Sequence, residues 1–163
     1  MRRLVVIEFV TLDGVMQGLG SPDEDRDGGF AHGGWGAPYR DEIQMKAAGE
    51  GLGDTNAYLF GRRTYEKMLA FWLHQPDSNP MAAHLNATPK YVATRTLDDF
   101  PWSRSQGLGD DLERGVRSLK EEGEGSIAVL GSGVLVHDLM KLNLVDDYRI
   151  LLHPLLLGTG KRL

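Results

Sequence analysis

Short apolar runs alternate with amphipathic stretches along this chain, and the alternation predicts its elements. Leu4–Val10 is dense in β-branched residues and predicts a buried strand, ended by the turn-prone Asp13-Gly14 pair. Ala57–Phe60, Tyr91–Ala93, Ser126–Leu130 and Asp147–Leu152 read as further strands, the last ending at His153-Pro154. Helical spacing fills the intervals. It covers Tyr39–Gly49, Thr64–Trp72 with Tyr65, Met68, Leu69 and Trp72 turned inward, a short piece at Met81–Ala87, and Val134–Lys141. A charged helix is expected over Asp110–Glu122, capped by Asp110 or Asp111. Pro76–Pro80 predicts a turn. Strands alternating with helices favour an α/β sheet with helices on both faces.

One stretch breaks the rhythm. Gly18–Pro38 carries seven glycines and an acidic run, too polar for core and long for a connection in a compact domain, which marks a functional or mobile loop. At 163 residues and 41% apolar composition the chain buries one core and reads as a single domain, with no internal repeat or linker. Eighteen basic and 23 acidic side chains leave a net charge of −5, which argues against nucleic acid or an anionic membrane surface as partner; a bound anion must be held by local cations. The absence of cysteine excludes disulfides, thiolate metal sites and a cysteine nucleophile, so redox chemistry would need a bound cofactor. The opening MRRLVVIEFVTLDG is interrupted by Glu8 and Asp13 and reads as strand rather than signal peptide. No segment approaches the roughly 18 apolar residues of a membrane span, and a soluble, cytoplasmic protein is expected.

Candidate chemistry sits at strand ends. Gly61, Arg62, Arg63 and Thr64 follow AYLF where a helix begins: glycine admits a ligand to the backbone, the hydroxyl bonds a phosphate oxygen, and arginine forks onto phosphate. The alternative is a plain strand-to-helix turn capped by Thr64 with solvated arginines. Gly131, Ser132 and Gly133 after SIAVL open a second helix whose free N–H groups and dipole favour an anion. Thr94-Arg95-Thr96 after the third strand suits a ribose 2′-phosphate, or is a surface turn. Strand carboxyl ends are where open α/β sheets place ligands. Gly131–Val136 lacks the GxGxxG spacing, and Gly158-Thr159-Gly160-Lys161 is followed by Arg162 rather than the Ser or Thr of a P-loop. Asp23–Gly28 imitates the opening of a calcium loop, yet Gly34 stands where the twelfth-position glutamate belongs. The five histidines form no i, i+4 pair, so no metal is assigned. Asp13, beside Thr11, could bond a polar heterocycle or relay a proton; the alternative is an Asp-Gly turn.

Five ordered blocks, FVTLDGVM at Phe9–Met16, LFGRRTYE at Leu59–Glu66, KYVATRTL at Lys90–Leu97, VLGSGVLVHDLM at Val129–Met140 and VDDYRILLHPLLLGTGKRL at Val145–Leu163, resemble the dihydrofolate reductase superfamily. The chain is most similar to the branch containing the C-terminal reductase domain of the bifunctional riboflavin-biosynthesis protein. The resemblance implies a three-layer α/β/α fold with a mostly parallel central sheet, NADPH across the strand ends, a small-molecule substrate and a homodimer. It also implies that Gly61, Arg62, Arg63 and Thr64 meet the phosphates, and that Thr94 and Arg95 flank the 2′-phosphate. Gly131, Ser132, Gly133, Val134 and Leu135 would line the pyrophosphate and nicotinamide. Asp13 would be the catalytic candidate, with Val10 and Thr11 bordering the substrate pocket. The implied activity is hydride transfer to a small heterocyclic or sugar-derived substrate, resembling 5-amino-6-(5-phosphoribosylamino)uracil reductase. The alternative is a non-catalytic nucleotide- or ligand-binding protein on the same fold. The family normally continues past the last block with closing β-structure, so either more chain is expected there or the sheet is completed differently.

Overall fold

The computed structural model describes residues 1–76 and 78–163. Six strands form one sheet: β1 (Arg3–Thr11), β2 (Thr55–Gly61), β3 (Lys90–Ala93), β4 (Ser105–Gly107), β5 (Ser126–Leu130) and β6 (Asp147–His153). Their spatial order is β4-β3-β2-β5-β1-β6, and every neighbouring pair is parallel. Parallel pairing demands crossover connections, which α1 (Glu42–Gly49), α2 (Arg62–Trp72), α3 (Pro80–Ala87), α4 (Leu112–Glu121) and α5 (Gly133–Lys141) supply everywhere except between β3 and β4, where the 94–104 segment crosses without a helix. The central strands are apolar on both sides because both faces are covered.

On one face Leu4, Val6, Ala57, Leu59, Ile127 and Val129 pack under Val116 and Leu119 of α4 and Leu135, Val136 and Leu139 of α5. On the other, Tyr58, Phe60, Val92 and Ala128 meet Tyr65 of α2, Leu85 of α3 and Trp102. The result is the three-layer α/β/α arrangement expected. Of the inward residues foreseen on α2, Tyr65 is buried, while Met68, Leu69 and Trp72 pack around the cluster's edge. The expected turn at Pro76–Pro80 includes Asp77, which lies outside the described residues.

Several boundaries differ from the sequence reading. Strand β4 has no apolar run; the bonds that pair it to β3 come from its backbone, beside Lys90–Val92. Helix α2 begins at Arg62 directly after β2, so Gly61, not Thr64, is its N-cap. Helix α4 is capped by Asp111, whose Oδ1 accepts from the Arg114 N–H at 2.9 Å.

The long loop is the larger correction. Its Phe30 and Trp35 are buried with Val15 in a third cluster, flanked by Phe9, Leu19, Leu155 and Leu157, so the segment builds a small core of its own. Two large aromatic rings outweigh the polar composition around them. The Trp35 indole N–H donates to the Gln17 carbonyl at 2.7 Å, which fixes the loop's path. Beneath it, buried His153 at the end of β6 is ringed by Trp35, Tyr39 and Phe9, with the Gln44 amide 2.7 Å from its Nε2, and so fastens loop and α1 to the sheet.

Candidate active site at the carboxyl ends of the strands

Because all six strands run the same way, Thr11, Gly61, Ala93, Leu130 and His153 end at one edge. From β2 the chain continues to β3 on one side; from β5 it continues to β6 on the other. The crevice between β2 and β5 is therefore a topological switch point, where such sheets place ligands.

Two helices start at this crevice, and both start without a side-chain cap. The other three are capped: Asp41 accepts from Gln44 N–H, Asn79 from Met81 and Ala82 N–H, and Asp111 from Arg114 N–H. At α5 the N-cap is Ser132, but its hydroxyl reaches away from its own helix and accepts the Gly61 N–H at 2.9 Å. That bond ties the turn after β2 to the turn after β5. Ser132 adopts a left-handed backbone (φ 72°), unusual for a residue with a side chain, next to Gly131 at φ 68°. A side chain on Gly131 would come within 3.4 Å of the Thr64 methyl, so the two turns sit against each other. The first N–H groups of α5 have no intrahelical partner and no cap among the described residues.

The structure brings Gly61, Thr64, Gly131, Ser132 and Leu135 together at this crevice. Gly133 packs beside the Met16 sulfur, and Val134 is exposed on the first turn of α5. The arginines diverge: Arg62 pairs with Glu66 at 3.3 Å, and Arg63 with Asp27 of the long loop at 3.1 Å. Thr94 lies one strand further out, where its oxygen accepts the Thr96 and Leu97 N–H groups at 3.2 Å in a turn that presents exposed Arg95.

Val10 and Thr11 end β1 and are both buried. The Thr11 hydroxyl donates to Asp13 Oδ1 at 2.5 Å and its oxygen accepts from Val15 N–H at 3.0 Å. Asp13 also accepts from the Leu157 N–H at 3.3 Å and the Gly158 N–H at 2.8 Å, with Arg162 beside it at 3.6 Å. The Thr11 bond, then the Gly158 bond, holds its carboxyl down to about 2. Asp13 is thus an ionised anchor that docks the 155–158 segment onto the end of β1.

Sequence reasoning missed three residues of this edge. Gln17 is buried and makes four bonds that organise the loop. Lys67 lies one turn after Arg63, a spacing that was visible, and Lys161 reaches the same place from the far end of the chain. Glu8 is also buried, on β1 opposite Ile150, with Oε1 lacking any partner among the described residues; burial pushes its carboxyl up to about 8. No group of three or more possible ligands gathers for a metal among the described residues; Asp25 and Asp27 face cations instead. Among the described residues no helix is long and apolar enough to cross a membrane.

The fold and its edge define a three-layer parallel α/β protein with its candidate site at the carboxyl ends of the strands. The RibD C-terminal domain family matches residues 2–163, and the chain belongs to that family. A relative, the uncharacterised protein YyaP of Bacillus subtilis (strain 168), is 25% identical over 169 residues, spanning 99% of this chain and 80% of its own. Among solved structures, a protein of Shewanella sp. PV-4 assigned to riboflavin biosynthesis superposes with a TM-score of 0.66 at 18% identity, over 98% of this chain and 81% of that one. The dihydrofolate reductase of Enterococcus faecalis, complexed with NADP(H) and RAB-propyl, gives 0.59 at 16% identity, over 98% and 75%. That of Schistosoma mansoni gives 0.54 at 18% identity, over 98% and 79%.

Proposed function

We propose that this protein is an NADPH-dependent reductase acting on a polarised C=N or C=O bond of a small heterocyclic or sugar-derived substrate. The observation that carries the reading is the pair of uncapped helix starts, α2 and α5, fastened to each other by the Gly61–Ser132 bond at the switch point. Free backbone donors and two converging helix dipoles suit a diphosphate. The residues fit the group on a second count: Gly61 and Gly131 lack the side chains that would fill the crevice against Ser132 and Thr64.

In this reading the first turn of α5 and the Gly61–Thr64 turn hold the diphosphate, exposed Arg95 turns onto phosphate oxygens, and Arg62 does so by exchanging its exposed pairing with Glu66. Thr94 fixes the turn from which Arg95 projects. When bound, the cofactor supplies the hydride, and the chain supplies position and a dry site. Asp13 acts by position: ionised and fully engaged, it holds the segment that closes over the end of β1. The Phe30–Trp35–Val15 cluster keeps water from the strand ends.

The test is oxidation of NADPH by the full chain, followed at 340 nm against pteridines, pyrimidines and carbonyl compounds. Folded protein that neither binds nor oxidises NADPH refutes the reading. One observation favours a second reading, a binding protein without turnover: Asp13, the carboxylate nearest the end of β1, is committed to structural bonds. That reading expects tight NADPH binding with no turnover on any of these compounds.

A further inference from the structure

Three cations and two carboxylates meet where the long loop crosses the first turns of α2. Asp27 Oδ2 lies 3.1 Å from Arg63 Nη1 and 2.7 Å from Lys161 Nζ. Asp25 Oδ2 lies 3.0 Å from Lys67 Nζ and 2.8 Å from Lys161 Nζ. Arg63 and Lys67 share one face of α2, a turn apart, and Lys161 closes the triangle from the other end of the chain. Buried Gln17 pins the strap from inside. Its amide N–H groups donate to the Asp25 and Asp27 carbonyls and to Asp25 Oδ1, while its oxygen accepts the Lys161 N–H at 3.0 Å.

This strap has a defined position and is held unevenly. The side chains of Arg63, Lys67, Lys161 and Asp27 are all about half exposed or more, and ion pairs of that exposure contribute little each, whereas Asp25 is 14% exposed and is the firmer of the two carboxylates. The charge balance also favours exchange. Closed, the cluster keeps one positive charge in excess; with the strap lifted, three cations stand beside the uncapped start of α2. Two carboxylates that share Lys161 and are flanked by Lys67 and Arg63 present the charge of a ligand carrying two linked anionic groups.

We propose that Asp25 and Asp27 are an internal stand-in for such a ligand. The segment Asp23–Gly29 is an autoinhibitory strap hinged on buried Phe30, and a diphosphate-bearing ligand docks on Arg63, Lys67 and Lys161 by displacing both carboxylates. The identity of the ligand as a dinucleotide rests on the reading given above; the strap does not. Lys67 and Lys161 thereby join the anion-binding set.

The probe is inorganic pyrophosphate, and the readouts are its Kd and hydrogen exchange of the full chain. In the native protein, saturating pyrophosphate should speed exchange of the Asp27, Gly29 and Phe30 amides, which bond within the strap, by at least about threefold. In Asp25→Asn/Asp27→Asn those amides exchange rapidly without ligand, and the Kd for pyrophosphate tightens by about five- to tenfold, since the competent state no longer has to be released. Asp27→Asn alone, at an exposed position that cannot disturb the core, should give an intermediate Kd. Strap exchange that slows or stays unchanged under saturating pyrophosphate, an unchanged Kd in the double variant, or no binding of pyrophosphate even there, each overturns the proposal. If pyrophosphate behaves as stated and NADPH does not bind, the strap stands and the cofactor reading falls.

Discussion

Replacing Glu8 with glutamine should make the protein more stable, and increasingly so as the pH rises. Glu8 is 4% exposed on β1, one strand in from the sheet's edge, and its Oε1 finds no partner among the described residues. Burial raises its carboxyl from 4.5 to about 8. Between those values the unfolded chain has already released a proton that the fold still holds. Stability is therefore fully retained below pH 4.5 and falls by about 1.4 kcal/mol per pH unit until the native carboxyl ionises near 8. By pH 7 the loss is about 3 kcal/mol, a large fraction of the 5–15 kcal/mol typical of a domain. Glutamine has the same shape and does not ionise. Urea unfolding of both proteins at pH 5.0, 7.0 and 8.5, at one ionic strength, gives the comparison. The advantage of Glu8→Gln should be under about 1 kcal/mol at pH 5.0, about 3 at pH 7.0 and about 4–5 at pH 8.5. Parallel profiles for the two proteins would refute the reasoning, because they would mean that Glu8 ionises as easily in the fold as out of it.

Other perturbations read different parts of the structure. Lys90 is fully buried and donates to the Leu85 and Thr88 carbonyls at 2.5 and 2.8 Å, so Lys90→Met should cost about 2–3 kcal/mol in urea unfolding at pH 7. Burial lowers the Lys90 amine to about 8 from 10.5, and the rise in native stability that this brings between those pH values should be missing from the variant. Ser132→Ala strands the Gly61 N–H and leaves the left-handed backbone without glycine's freedom; a loss of about 1–2 kcal/mol is expected, and less from Ser132→Gly, checked by thermal melting. Asp13→Asn should lower turnover while the pH–rate profile between 5 and 8 keeps its shape, because a carboxyl held at about 2 does not titrate there. A limb present in the native profile and missing from that of Asp13→Asn would show that Asp13 exchanges a proton during the reaction.

Strands β1, β2, β3 and β5 were legible because buried parallel strands leave dense apolar runs, such as LVVI and SIAVL, and β6 because it keeps apolar residues although, as an edge strand, it leaves Tyr148, Ile150 and Leu152 exposed. Strand β4 was not, since Ser105–Gly107 is paired by backbone alone. The turns at Gly61–Thr64 and Gly131–Gly133 were legible as glycine-bearing strand-to-helix turns, and the structure brings them side by side. Their mutual bond was hidden, because nothing local says that the Ser132 hydroxyl leaves its own helix for one 71 residues away. Long-range partners account for the other surprises. Asp13 reads as a turn residue until Gly158 reaches it, and Lys161 reads as the end of a failed P-loop until Asp25 and Asp27 do. Phe30 and Trp35 were masked by the glycines and acids around them, though a pair of large aromatics in a polar loop was itself a sign of burial.

The central claim, a dinucleotide at the β2/β5 crevice, is tested most directly by isothermal titration of the full chain with NADPH and, in parallel, NADH. The account predicts saturable NADPH binding that weakens for NADH by at least about tenfold, and that is lost or sharply reduced in Arg62→Ala and Arg95→Ala. Folded protein that takes up neither nucleotide, or binds both equally and ignores the two arginines, would contradict it.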